Sequence, residues 1–273
     1  MEKPIYEQLD ELYEAEWAKV EQLEGYQDYS KKMCIPILPT IYRNNGNNVG
    51  DENWWTDADV KKVMIFGRET GDKFSDLSPS EYDAQGLVAD ATEAYEKFLW
   101  ETMEKHKKKK NKWFCYAFNY FKDNISNELN KKVAFLWNNL DLVGPKGKNK
   151  SGSLFKYSKR AYEIQMQFTT EVMPKMMELL KPDVVIFLTS NGTEDKDKNR
   201  DEVIMRNFGV KNDDFKKMAD NCIGELAEIQ NFHYATKAYR TNHPDPRSSN
   251  GIGLSETIMN IIIADIKENF KQQ

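Results

Sequence analysis

The chain has 273 residues, with 39 Lys and Arg against 44 Asp and Glu, a formal net charge of −5. Hydrophobic residues make up 40% and charged residues 30%, the balance of a folded soluble domain rather than of a disordered or fibrous chain. The acidic balance does not advertise nucleic-acid binding, although a local basic patch would still be compatible with it. Cys34, Cys115 and Cys222 are too few and too far apart for a disulfide framework, a tetrahedral zinc site or an all-cysteine iron–sulfur site. No apolar run reaches the length of a membrane span. The acidic opening Met1-Glu2-Lys3-Pro4 has neither the basic start nor the apolar centre of a signal peptide. A soluble cytoplasmic protein, acting as a monomer, is the expectation.

In chain order, Ile5, Leu9, Leu12, Val20 and Leu23 recur at helical spacing and predict a helix over 5–24, with Gly25 as its stop. Residues 26–59 are turn-rich, and Trp54 and Trp55 are the residues expected to pack this arm onto the body. Val63–Phe66 is a short apolar run between polar segments and predicts a buried strand. A long polar loop follows over 71–87, then a helix over 88–106 that runs into Lys107–Lys110, then an aromatic helix from Trp113 to about Phe121. Val133–Trp137 predicts a second strand ending in Asn138-Asn139, followed by a Gly/Lys/Ser loop over 143–153. A long amphipathic helix is predicted over 156–180, with Pro174 tolerable as a kink. Val184–Leu188 is the third strand, residues 193–232 read as charged and irregular with short helices, and residues 236–241 are the fourth strand. The last helix spans 254–270, with Leu254, Ile258, Ile261, Ile262 and Ile266 on its buried side and Ser255 placed to cap it.

Strands alternating with helices predict an α/β fold, with a central four-stranded parallel sheet flanked by helices on both faces. The division expected is a helical arm over 1–59 packed on a core domain over 60–273. In such a sheet, ligands gather at the C-terminal edge of the strands. All four predicted strands end in polar residues: Glu69 after the first, Asn138 after the second, Thr189-Ser190-Asn191 after the third and His243 after the fourth.

Two segments stand out. The first is Gly67-Arg68-Glu69-Thr70-Gly71, read as the loop after Val63–Phe66. The second is Asn242-His243-Pro244-Asp245-Pro246-Arg247-Ser248-Ser249, after the fourth strand. With Asn138 between them, they resemble the motifs of the uracil-DNA glycosylase superfamily. Its first motif reads like Gly-Gln-Asp-Pro-Tyr or Gly-Met-Asn-Pro-Gly, and its last like His-Pro-Ser-Pro-Leu or His-Pro-Ser-Pro-Arg. The resemblance covers roughly residues 60–270. Glu69 stands where the family has Asp or Asn and is one methylene longer, and Thr70 stands where it has proline.

The resemblance implies a DNA base glycosylase. Glu69 would stabilise positive charge on the sugar and orient water. His243 would donate to the departing base, as an oxyanion site does. Asn138 would pair with a base edge, since its amide is both donor and acceptor. Phe74, and after it Tyr82, would stack on the flipped base. Arg247, with Ser248 and Ser249, would fill the vacated space or hold a phosphate, and Lys107–Lys110 and Lys146–Lys150 would touch backbone phosphates.

Each residue also has a structural alternative. Glu69 is a possible helix cap, Asn138 a strand-end group, His243 a turn residue, Phe74 and Tyr82 loop anchors, and the lysine run a solvated helix end. Three functions follow: a glycosylase acting on uracil or another damaged base in DNA, a glycosylase-like module that binds a nucleobase, nucleotide or DNA without chemistry, and a hydrolase of small N-glycosides. No phosphate-binding glycine loop, dinucleotide fingerprint or His-Glu-x-x-His signature is present, so no metal or organic cofactor is expected.

Overall fold

Val63–Phe66 and Val184–Leu188, two of the most apolar short runs in the chain, form adjacent strands at the centre of the sheet. In this computed structural model, residues 3–44, 48–69, 77–107, 113–147, 154–189, 200–218, 226–244 and 254–271 are described. The elements are, in order, α1 (Ile5–Glu21), α2 (Tyr26–Tyr29), β1 (Arg43–Asn44), β2 (Asn48–Val49), α3 (Asn53–Thr56), β3 (Lys61–Glu69), α4 (Ala84–Lys97), α5 (Met103–His106), α6 (Trp113–Leu129), β4 (Val133–Asp141), α7 (Lys159–Leu180), β5 (Val184–Leu188), α8 (Arg200–Phe208), β6 (Phe215–Lys217), β7 (Ala227–Ile229), β8 (Lys237–Thr241) and α9 (Glu256–Lys271). No helix among the described residues is long and apolar enough to cross a membrane.

The fold is α/β with a mixed six-stranded sheet in the order β4-β3-β5-β8-β7-β6. β3, β5 and β8 are parallel, with Phe66 opposite Phe187 and Phe187 opposite Arg240. β7 runs antiparallel to β8, and β6 antiparallel to β7. The expectation of a four-stranded parallel sheet is corrected here, because β6 and β7 extend it from a segment read as irregular. Each is only three residues long, and Phe215-Lys216-Lys217 and Ala227-Glu228-Ile229 are too short to carry a convincing alternation.

The chain divides into two compact units. One comprises Met1–Glu52, Arg68–Phe98 and Asn138–Leu180, and the other comprises Asn53–Gly67, Leu99–Trp137 and Lys181–Gln273. The second unit holds the centre of the sheet. Residues paired across parallel strands share a face. On one face Phe66 and Phe187 stack with centroids 4.9 Å apart, and Phe208 of α8 meets them at 5.8 Å and 5.5 Å. On the other, Tyr239 donates its hydroxyl to Asp265 of α9 at 2.6 Å. Ile258, Ile262, Ile266 and Phe270 form the buried side of α9, close to the predicted stripe, while Leu254 and Ile261 are half-buried. Ser255 caps that helix, its hydroxyl accepting from the Ile258 N–H at 3.3 Å. Trp55 is buried in this unit, and Trp54 packs edge-on against Trp100 at 5.4 Å.

The first unit is mainly helical. Leu9, Tyr13, Trp17 and Val20 make the buried stripe of α1, and Trp17 meets Phe168 of α7 edge-on at 4.9 Å. Residues 33–41 are buried throughout, and Cys34 and Ile37 donate their backbone N–H groups to Gly144 and Leu142. α7 runs unbroken through Pro174. Gly25 has φ of +79°, and a Cβ there would meet the Tyr29 ring at 2.7 Å, so the turn between α1 and α2 requires glycine.

Candidate functional site

The polar residues of the second unit gather at the C-terminal edge of its sheet. The Phe66, Phe187 and Arg240 row is followed in each strand by Gly67, Leu188 and Thr241. Thr189, Thr241, Asn242 and Pro244 are buried, and His243 is half-buried. Thr189 donates its backbone N–H to the Thr241 carbonyl at 3.2 Å, and Leu254 donates to the His243 carbonyl at 3.3 Å. These bonds fix the histidine segment at the end of β8 and at the approach to α9.

Beneath it lies a buried ion pair. Arg240 Nε stands 3.0 Å from Asp201 Oδ1 of α8, with side-chain exposures of 8% and 13%. The guanidinium also lies over the Phe215 ring, 5.5 Å from its centroid. A charged residue in the middle of a buried strand is costly unless paired. Asp201 is the partner, and it ties α8 to β8 three residues before His243. Sequence reasoning named Asn242 with the histidine segment but missed Arg240, Asp201 and Thr241 as parts of this edge. The available signal was Arg240 itself, a charge between Tyr239 and Thr241 in a strand that is buried from Ala238 onward.

The predicted residues fall as follows. Gly67, Arg68 and Glu69 belong to β3 itself, which corrects their reading as a loop after Phe66. Strand pairing is made by backbone groups and does not stop where apolar side chains stop. Asn138 likewise does not end the second strand. It sits inside β4, fully buried. Its Nδ2 points to the sulfurs of Met173 and Met176 at 3.7 Å and 3.5 Å, and its Oδ1 accepts the Asn139 N–H at 2.7 Å. Thioether sulfur is a weak acceptor, so this buried amide is held softly.

Tyr82 is half-buried just before α4, beside the Asp83 side chain that caps the helix through the Gly86 N–H at 2.8 Å. Burial, and then a hydrogen bond with Asp90, push its phenol up to about 12. Lys107 pairs with Glu104, and Lys146 Nζ pairs with Glu81 at 2.8 Å, so both described lysines of the basic runs are engaged within the chain. Thr70, Gly71, Phe74, Asp245, Pro246, Arg247, Ser248 and Ser249 lie outside the described residues, as do Lys108, Lys109, Lys110, Lys148 and Lys150.

Among the described residues, no group of three or more His, Cys, Asp and Glu is placed to hold a metal ion. The described chemistry of this edge is that of an imidazole, which can donate from one nitrogen and accept at the other, set among buried amide and hydroxyl groups. Comparison with known proteins finds no matching family model, no matching curated protein and no matching solved structure.

Proposed function

We propose that this chain is a divergent uracil-DNA glycosylase-like protein that hydrolyses the N-glycosidic bond of a flipped-out uracil or other damaged base in DNA. One observation carries the reading: the His243 segment directly follows β8, which lies parallel to its neighbour β5, at the C-terminal end of both strands. Polar loops at the C-terminal ends of parallel strands are where such sheets bind ligands. In this reading His243 donates to the base oxygen as negative charge develops on the leaving group. Glu69 supplies the carboxylate that stabilises the sugar cation and orients water. The reaction needs no group beyond water and these side chains.

The test is base release from an end-labelled oligonucleotide with a single uracil, single- and double-stranded, with the expression host's own glycosylase inhibited. Alkaline scission at the uracil position is the expected result. Intact oligonucleotide in both forms removes the reading.

A second reading, recognition without chemistry, draws on Asn138. Its amide is enclosed by Met173 and Met176 and by its own neighbour's N–H, so pairing with a base would require those contacts to break. A thermal shift with uracil or with DNA and no base release supports this second reading. No shift with either ligand counts against it.

A further inference from the structure

α1 and α4 pack together in the first unit, and their contact contains carboxylates with incomplete partners. Asp10 of α1 is half-buried, and its Oδ1 is shielded from water with no hydrogen-bond partner among the described residues. Glu96 of α4 is 9% exposed. Its Oε2 lies 3.1 Å from Arg43 Nε, while its Oε1 is shielded and has no partner among the described residues. Other charges acting on these two carboxylates are also acidic: Glu14 and Glu7 of α1 on Asp10, and Glu93 of α4 and Asp10 itself on Glu96. Arg43 is a basic group here, and it faces Glu96. Tyr13 and Tyr95 complete the surroundings, both buried. The α7 side of α1 is different, for there Glu16 is matched by Lys19 and Lys175, each at 2.8 Å.

An ionised carboxylate oxygen removed from water without a donor costs stability, while a protonated carboxyl costs far less. We propose that the seam between α1 and α4 is a proton-operated latch, closed when Asp10 carries a proton and loosened when Asp10 is ionised. The inference does not depend on the proposed enzymatic function. Burial first, and then the charges of Glu14 and Glu7, raise Asp10 from an ordinary 3.8 to about 6. Glu96 is raised too, by burial above all, with Arg43 opposing. The sign follows from proton linkage. Between about 6 and 3.8 the closed seam holds a proton that an opened seam would release. Closure therefore strengthens as pH falls through this window, by up to about tenfold in equilibrium constant per pH unit. Above about 6 both forms are ionised and the latch is at its weakest.

The experiment uses the full chain. Side-chain carboxyl carbons are titrated by NMR from pH 4 to 8, and amide hydrogen exchange of α1 and α4 is followed over the same range with intrinsic rates corrected. The expected result is an Asp10 midpoint near 6, with protection of the seam rising as pH falls below it. Asp10→Asn is expected to hold the seam protected at pH 8 and to remove the pH dependence. Glu14→Gln changes one neighbouring charge without touching the buried group, and is expected to move the Asp10 midpoint downward. An Asp10 midpoint near 4 overturns the latch. So does pH-dependent protection that persists in Asp10→Asn, or a midpoint that Glu14→Gln leaves in place.

Discussion

The two ends of the parallel strands in the second unit are both polar, yet they are built differently. At the N-terminal end, Asp183 precedes β5 and acts as a staple. Its Oδ2 accepts the Lys62 N–H at 2.8 Å, its own N–H donates to the Lys62 carbonyl at 2.8 Å, its carbonyl accepts from Lys237 at 3.1 Å, and its Oδ1 stands 3.6 Å from Lys61 Nζ. Each of these contacts joins neighbouring strands, so the end is closed by its own bonds. At the C-terminal end, Arg240 is buried against Asp201, and Thr241, Asn242 and His243 follow where the chain leaves the sheet. The first end spends its polarity on holding strands in register. The second sets a buried charge pair three residues before an imidazole, an arrangement that costs more to build.

The comparison can be broken by substitution. Arg240→Met is expected to have the largest effect, about 3–5 kcal/mol of stability, because it strands the Asp201 carboxylate in the interior. Urea unfolding measures it, and adding Asp201→Leu to Arg240→Met is expected to recover most of the loss. Asp183→Ala should cost less, about 2 kcal/mol, since it leaves the Lys62 N–H unsatisfied but strands no charge. Equal losses for the two single variants would erase the distinction drawn between the ends. Tyr239→Phe, which deletes the donor to Asp265 at 2.6 Å, is expected to cost about 1 kcal/mol. Ser255→Ala removes the α9 cap and is expected to cost roughly 0.5–1 kcal/mol, read from the same unfolding curves. His243→Ala is expected to be smallest, within about 0.5 kcal/mol, because it strands no buried charge and removes no helix cap.

Much of the sheet was legible because strands that bury both faces read as continuous apolar runs. Val63–Phe66, Val133–Trp137 and Val184–Leu188 all lie in strands. Their ends were not legible, since β3 continues through Glu69 and β4 through Asp141 on backbone bonding that side-chain polarity does not report. β6 and β7 escaped notice for their brevity. α8 is a short helix of the kind expected within 193–232, but its place there was not legible, because Arg200, Asp201 and Asn207 are buried polar residues where a helical stripe would have apolar ones. At the candidate site, the histidine segment was found from its place after a strand and its Asn-His-Pro sequence. The Arg240–Asp201 pair behind it was not, because its partners are 39 positions apart and only the fold joins them. Asn138 shows the same limit from the other side. An asparagine after an apolar run reads as a strand end, and only packing reveals that two methionines enclose it.

The most direct test of the proposed function is the rate of uracil release by the wild type and by His243→Ala, each checked for an unchanged unfolding midpoint. Loss of a donor to the leaving group is expected to lower the rate by about 10²–10³-fold while stability stays level. Release that continues at the wild-type rate without the imidazole, or no release by either protein, would contradict the assignment of glycosylase chemistry to this edge.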